Sequence, residues 1–322
     1  MKAIAYTKYG SPDVLSLRDV DKPVPKPDQV LVKMRAASIN SWDWDMVRGK
    51  PWIVRIWGLT GPRNTIPGAD IAGVVESVGS RVTKFKPGDE VFGDLCESGW
   101  GAYAEYAAAH EKVFQRKPPG MTFEEAAAIP QAGLMALQGL VDMGKVKKGQ
   151  KVLMNGAGGG VGTFVIQIAR SVGADVAAVD SGDKLDFLQA LGANRVIDYT
   201  KEDFTRNGVQ YDLIIDVVAS RSLYDYKRAL NNTGQLIIIG GKMSILFGTL
   251  LQRTWMSSKD GRQFGMLPYR VNDGLDRMVE LFETRQARPV VDRTFTLEKT
   301  SEAFEYFASG KFKGKVVITM PG

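Results

Sequence analysis

Two hydrophobic periods divide the chain. Up to about residue 120, apolar and polar positions alternate in short runs such as Lys2–Tyr6 and Gln29–Ala36, punctuated by turn-rich stretches such as PVPKPDQ and KPGDEVFG. A period of two between Gly and Pro turns predicts half-buried strands, and many short strands of this kind predict a small β-barrel. The period changes at Thr122. TFEE, Thr122 to Glu125, is a capping-box pattern that opens a helix, and Pro130 to Met143 supplies a second helical segment. Continuous apolar runs then alternate with stripes at three- and four-residue spacing. The runs are Val152–Met154, Asp175–Val179, Arg195–Asp198, Asp212–Val218, Gln235–Gly240 and a sixth near Phe264–Leu267. This alternation predicts a doubly wound parallel sheet, so the chain is read as α/β with an appended barrel. Leu275, Met278, Val279 and Phe282 mark a further helix ending near Glu283. The tail reads as β at Pro289–Phe295, helix at Ser301–Phe307 and strand at Lys315–Thr319. A terminal strand needs a sheet to join, and the barrel is its expected host, which makes that module discontinuous.

The chemistry concentrates where the first parallel strand ends. In KVLMNGAGGGVG, Lys151 to Gly162, the strand hands over through glycines to an apolar-periodic helix. Free N–H groups and the positive end of the helix dipole face an anion there, and glycines let it approach the backbone. Aligned with GxGxxG, the register is Ala157, Gly159 and Gly162. The next strand completes a βαβ unit of about 30 residues, the context a dinucleotide pyrophosphate site requires. Gly158, Gly159, Gly160, Val161 and Gly162 are the predicted contacts. Asp180 lies about 20 residues beyond the glycines, where a carboxylate binds the ribose hydroxyls of NAD. Gly240 and Gly241 end one apolar strand and Val218 another, at points suited to close backbone approach on the nicotinamide side.

A length of 322 residues predicts about two domains. With 44% hydrophobic and 24% charged residues, the chain has material for two cores. No apolar run approaches the roughly 18 residues of a membrane span. The N-terminus alternates like a strand and lacks a signal-peptide core, so a mature cytoplasmic protein without a membrane partner is expected. A single cysteine, Cys96, excludes an internal disulfide and any multi-cysteine zinc cluster. The net charge of +6 comes from Lys and Arg spread through the chain, which suits a phosphate-rich cofactor better than nucleic acid. His110 is the only histidine and is read as a solvent-facing residue, so no Ser-His-Asp or Cys-His constellation can be assembled. Trp42, Trp44, Trp52 and Trp57 crowd the segment Ser41–Gly58, which is read as a loop wall facing a small apolar or aromatic substrate.

From ASINSWDW through IPGADIAGVVESVG, KFKPGDEVFG, GAYAEY, AAAIPQAGLMALQGL, KVLMNGAGGGVG and ALGANRVIDYT to the closing GKVVI, the whole chain resembles the medium-chain dehydrogenases/reductases. Within them it is most similar to the zinc-free quinone oxidoreductase, or zeta-crystallin-like, branch. The resemblance implies a GroES-like barrel domain, 1–126 with 287–322, and a Rossmann domain, 127–286, with the active site in the cleft between them. Zinc-dependent relatives use Cys, His and Cys as ligands where this chain has Asn40, Ala69 and Gln131, so no metal is expected. The same correspondence places Asn40 near substrate or nicotinamide, with Asp43 and Trp44 beside it in the pocket. In zinc-free relatives, a serine, a basic residue and the tyrosine of VIDY cradle the 2′-phosphate. Here these are Ser181, Lys184 and Tyr199, so NADP(H) is expected over NAD(H) in spite of Asp180, and Lys313 resembles another cofactor contact. Hydride transfer from NADPH to a quinone or activated alkene needs neither metal nor nucleophile. Two alternatives remain: a non-catalytic NADPH-binding redox-sensing or structural protein, and an NAD-linked alcohol dehydrogenase without zinc. Relatives pair the sixth strand across a two-fold axis, and a homodimer is expected.

Overall fold

The computed structural model describes residues 1–250 and 261–321, apart from the Trp57 side chain. The chain divides into two compact units, Met1–Ala132 with Val271–Glu283 and Pro289–Gly322, and Gly133–Arg270 with Thr284–Arg288.

In the first unit, β1 (Lys2–Ala5) pairs with β2 (Ser16–Asp19), and β3 (Gln29–Ser38), β4 (Asp70–Val78), β5 (Glu90–Asp94), β6 (Tyr106–His110) and β7 (Phe114–Arg116) follow. A seven-stranded sheet runs in the order Val291–Thr296, Lys315–Thr319, β3, β4, β5, β7, with β6 on β3 as well. The terminal strand joins this unit, pairing antiparallel with β3 through Val317 and Ser38, Ile318 and Ala37, Thr319 and Ala36. Its residues from Lys315 to Ile318 are all buried, which is why the run reads as continuous rather than alternating. Ile4, Val30, Val32, Ile71, Val91, Phe304, Val316 and Ile318 belong to its core.

Among the described residues the second unit carries six strands, β8 (Lys151–Asn155), β9 (Asp175–Asp180), β10 (Arg195–Asp198), β11 (Tyr211–Asp216), β12 (Leu230–Ile238) and β13 (Gln263–Met266). All pair in parallel, in the order β10-β9-β8-β11-β12-β13. Strand order reverses between β8 and β11. In sheets of this kind, ligands bind beyond the carboxyl ends of the strands at such a switch point.

The segment after β3 is not the loop expected from its tryptophans. Ser41–Arg48 is an α-helix, and Trp52–Trp57 is a 3-10 turn. The Asn40 backbone N–H donates to Asp43 Oδ2 at 2.7 Å, closing the helix start. Gly49, at φ 61°, ends the helix in the left-handed conformation that glycine tolerates without a Cβ clash. These are ordinary start and stop signals, overshadowed by the aromatic crowding.

Candidate functional site

At the end of β8 the backbone turns through Gly156, at φ 82°, into the helix Gly160–Ser171. Each glycine here has a distinct spatial reason. A Cβ on Gly162 would lie 2.3 Å from the Ala157 carbonyl oxygen, so the helix approaches the strand turn as closely as backbone allows. That places Ala157 and Gly162 in the register read from the sequence. A Cβ on Gly158 would lie 2.5 Å from Lys184 Cδ and 3.0 Å from Asp180 Oδ2. Thr163 N–H makes a helical bond back to Gly159 at 3.0 Å, so the N–H groups of Gly160, Val161 and Gly162 precede the first i→i−4 bond. An unencumbered helix start lined by glycine fits a pyrophosphate.

Asp180 closes β9 and turns onto this glycine turn. Its Oδ2 accepts the Gly158 N–H at 2.7 Å, its Oδ1 accepts the Ser181 N–H at 2.8 Å, and Lys184 Nζ lies 3.5 Å away. Lys184 is only 5% exposed, its stem covering Gly158. The Tyr199 N–H donates to the Asp180 carbonyl at 3.2 Å while its ring is 54% exposed. Ser181 and Tyr199 therefore stand together at the carboxyl ends of β9 and β10. Lys184, expected beside them as a phosphate ligand, is turned inward to neutralise Asp180.

At the switch point, Asp216 ties the two central strands together, a role the sequence pattern did not reveal. Its Oδ2 accepts from Asn155 Nδ2 at 2.8 Å and from the Tyr226 hydroxyl at 2.7 Å, and its Oδ1 accepts the Val218 N–H at 2.8 Å. Burial pushes its carboxyl above the usual range against these three donors. The Val218 side chain is half exposed. Gly241, at φ 141°, bridges Ala219, and a Cβ there would lie 2.5 Å from the Ala219 backbone nitrogen. A Cβ on Gly240 would lie 2.9 Å from the Val217 carbonyl oxygen. Neighbouring backbone thus accounts for both glycines.

The first unit holds a buried polar cluster around Asn40. Asn40 Nδ2 donates to Asp70 Oδ2 at 2.9 Å, and its Oδ1 accepts from the Lys315 ammonium. Asp70 also accepts from Ser38 Oγ at 3.2 Å and from the Gln131 N–H at 3.2 Å, with Lys315 Nζ at 3.6 Å. Burial pushes the Asp70 carboxyl up and the Lys315 ammonium down, and the charge of each opposes the other's shift. Asp43 is wholly buried and its carboxyl is pushed up to about 8, chiefly by desolvation, although it accepts the Asn40 N–H. Asp94, 1% exposed, holds the Cys96 N–H on Oδ1 at 2.8 Å. The family positions Asn40 and Gln131, and Asp70 next to Ala69, are thus brought together. At these positions the Asn40 amide oxygen takes the Lys315 ammonium, Ala69 has no donor side chain, and the Gln131 backbone N–H goes to Asp70. Asp70 and Lys315 lie within the family segments IPGADIAGVVESVG and GKVVI, but neither was singled out; their own signal is a polar residue at the start of an apolar strand.

The tryptophans disperse. Trp44 packs on Phe304, ring centroids 6.1 Å apart, with the Arg48 guanidinium 4.6 Å over its ring, whereas Trp52 is 76% exposed. The Trp57 side chain lies outside the described residues. His110 ends β6 half-buried, its Nδ1 accepting the Lys112 N–H at 3.1 Å. Lys313 is half-buried just before the last strand.

Residues 26–119 match the alcohol dehydrogenase GroES-like domain, and residues 191–318 match a family described as zinc-binding dehydrogenase. The chain is 37% identical to the 2-methylene-furan-3-one reductase of Solanum lycopersicum, over 99% of this chain and 79% of that protein. It is 34% identical to the chloroplastic NADPH-dependent alkenal/one oxidoreductase of Arabidopsis thaliana, over the same shares. Among solved structures, the quinone oxidoreductase from Coxiella burnetii superposes with a TM-score of 0.89 at 30% identity, covering 100% of this chain and 99% of that one.

Proposed function

We propose a function from one premise: this chain belongs to the quinone oxidoreductase-like branch of the medium-chain dehydrogenases/reductases. It reduces a quinone or an activated alkene with NADPH, and does so without zinc. Two observations support this reading: the second unit has a glycine-lined helix start at its sheet's switch point, and the first has a neutral carboxamide, Asn40, at the family's first metal-ligand position.

When bound, the reduced nicotinamide supplies the hydride. The N–H groups of Gly160, Val161 and Gly162 receive the pyrophosphate, Gly158 and Gly159 leaving room for its approach, Val218, Gly240 and Gly241 lie toward the nicotinamide, and Lys313 is a further cofactor contact. Ser181 and Tyr199 receive the 2′-phosphate of NADPH. Asp180, turned onto Gly158 and matched by the Lys184 ammonium, fits this choice, because the ammonium offsets the carboxylate's charge near the phosphate.

Asn40 donates a hydrogen bond to the acceptor's carbonyl oxygen as negative charge develops there. Water supplies the proton that completes the hydroquinone or the saturated ketone. Alcohol oxidation requires a means of removing a hydroxyl proton, and a carboxamide provides none. Absorbance at the nicotinamide band, with NADPH and 9,10-phenanthrenequinone or methyl vinyl ketone, tests the reading. Oxidation with either acceptor supports it, and NADPH binding without turnover on either refutes it.

A further inference from the structure

The Asn40 carboxamide is gripped at both ends. Its oxygen takes the Lys315 ammonium, and one of its two N–H donors goes to Asp70 Oδ2 at 2.9 Å. A half-turn of the amide would set oxygen against carboxylate and NH2 against ammonium. The Lys315 and Asp70 side chains are 4% and 0% exposed, so no water relieves such contacts. The amide therefore has one orientation, with a single Nδ2 hydrogen left over. Asp70 is itself pinned by Ser38 Oγ and the Gln131 N–H. Three parts of the chain meet in this grip: the N-cap of Ser41–Arg48, the start of β4 and the start of the last strand.

We propose that Asp70 and Lys315 are positioning residues that fix the Asn40 carboxamide and polarise it, so that its remaining Nδ2 hydrogen becomes a stronger donor to the acceptor's carbonyl oxygen. This rests on the reading that Asn40 meets the acceptor. A cation on the amide oxygen draws electron density from the nitrogen, and hydrogen bonds in such a chain strengthen one another. In enone reduction, hydride adds to the β-carbon, the alkene π pair shifts to form the enolate and the carbonyl π pair moves onto oxygen. Asn40 then donates to an oxyanion, and water protonates the α-carbon. The benefit is greatest for acceptors whose oxygen gains the most charge, which are weakly activated enones rather than quinones.

Lys315→Met keeps the stem and removes the charge, and Lys315→Arg restores the charge. The double variant Asp70→Asn with Lys315→Met leaves no unpaired buried ion and serves if Lys315→Met does not fold. With loss of the ammonium, kcat for methyl vinyl ketone falls about 100-fold and kcat for 9,10-phenanthrenequinone less than about 10-fold, with KM for NADPH unchanged. Lys315→Arg recovers part of the loss. In the cofactor-free protein, the two Asn40 side-chain N–H resonances, assigned with Asn40→Ala, move upfield in Lys315→Met. Equal losses on both acceptors, or unmoved Asn40 resonances, overturn the proposal. If Asn40→Ala keeps full kcat on both acceptors while the resonances still move in Lys315→Met, the role of Asn40 fails and its positioning stands.

Discussion

Asp180 shows how one side chain decides what its neighbours do. Read as sequence, it opposed the NADP assignment, because strand alternation left its direction open. In the fold it bends back onto Gly158, and Lys184 covers both. Lys184→Ala removes the counter-charge and leaves the Asp180 carboxylate to oppose the 2′-phosphate. NADPH Kd is expected to rise at least about 10-fold while NADH Kd changes less than about 3-fold, measured by fluorescence titration. Equal losses for both cofactors would discard the assignment. Asp43 gives a second residue-scale expectation. Its carboxyl is pushed up to about 8, so between the ordinary carboxylate range and that pH the folded protein keeps a proton that the unfolded chain has lost. Its contribution to stability is therefore full below the ordinary range and falls as pH rises, by about 1.4 kcal/mol per pH unit. Between pH 5.5 and 7.5, urea unfolding of the native protein should lose about 2 kcal/mol more than that of Asp43→Asn. Parallel pH dependences would show that Asp43 is ionised throughout.

Among elements, those with strong periodicity were legible and those set by capping or tertiary burial were less so. The strands Arg195–Asp198 and Lys315–Thr319 and the helix Leu275–Glu283 lie where their apolar runs and stripes predict. The helix Ser41–Arg48 was missed because its apolar residues follow no clean stripe, and its capping signals are short and local. Asp70 and Lys315 were missed for a different reason. Their chemistry depends on strands more than 200 residues apart in sequence lying on either side of β3 in one sheet, which no local pattern encodes. The glycine turn was legible because its demands are steric. A methyl at Gly162 would lie 2.3 Å from a backbone oxygen, with no flexible side chain to yield. Gly162→Ala must therefore lift the helix Gly160–Ser171 from the turn. It is expected to cost about 1–3 kcal/mol of stability and to weaken NADPH binding at least about 10-fold, by thermal unfolding and titration. A variant with native Tm and affinity would mean that helix and turn separate freely.

On the scale of the whole molecule, the parallel sheet leaves an unsolved edge. β13 pairs with β12 through Gln235 and Gln263, Leu236 and Phe264, Ile237 and Gly265, Ile238 and Met266, and it ends the strand order. Among the described residues no further strand pairs with its outer side, and Gly265 and Phe264, both buried, offer little charge to deter pairing. Natural sheets cover, charge or pair such an edge. We propose that this one pairs with its own copy across a two-fold axis, which closes the assembly at two chains instead of propagating it. Pro268, just beyond the strand, lacks an N–H and limits the paired length. Sedimentation equilibrium at micromolar concentration should give twice the chain mass. Met266→Pro, which removes one outward N–H because Leu267 N–H turns inward to the Ile238 carbonyl, should shift the equilibrium toward monomer at least about 10-fold while NADPH still binds. A native protein that sediments as a monomer at this concentration, or a Met266→Pro dimer of undiminished affinity, would move the interface away from this edge.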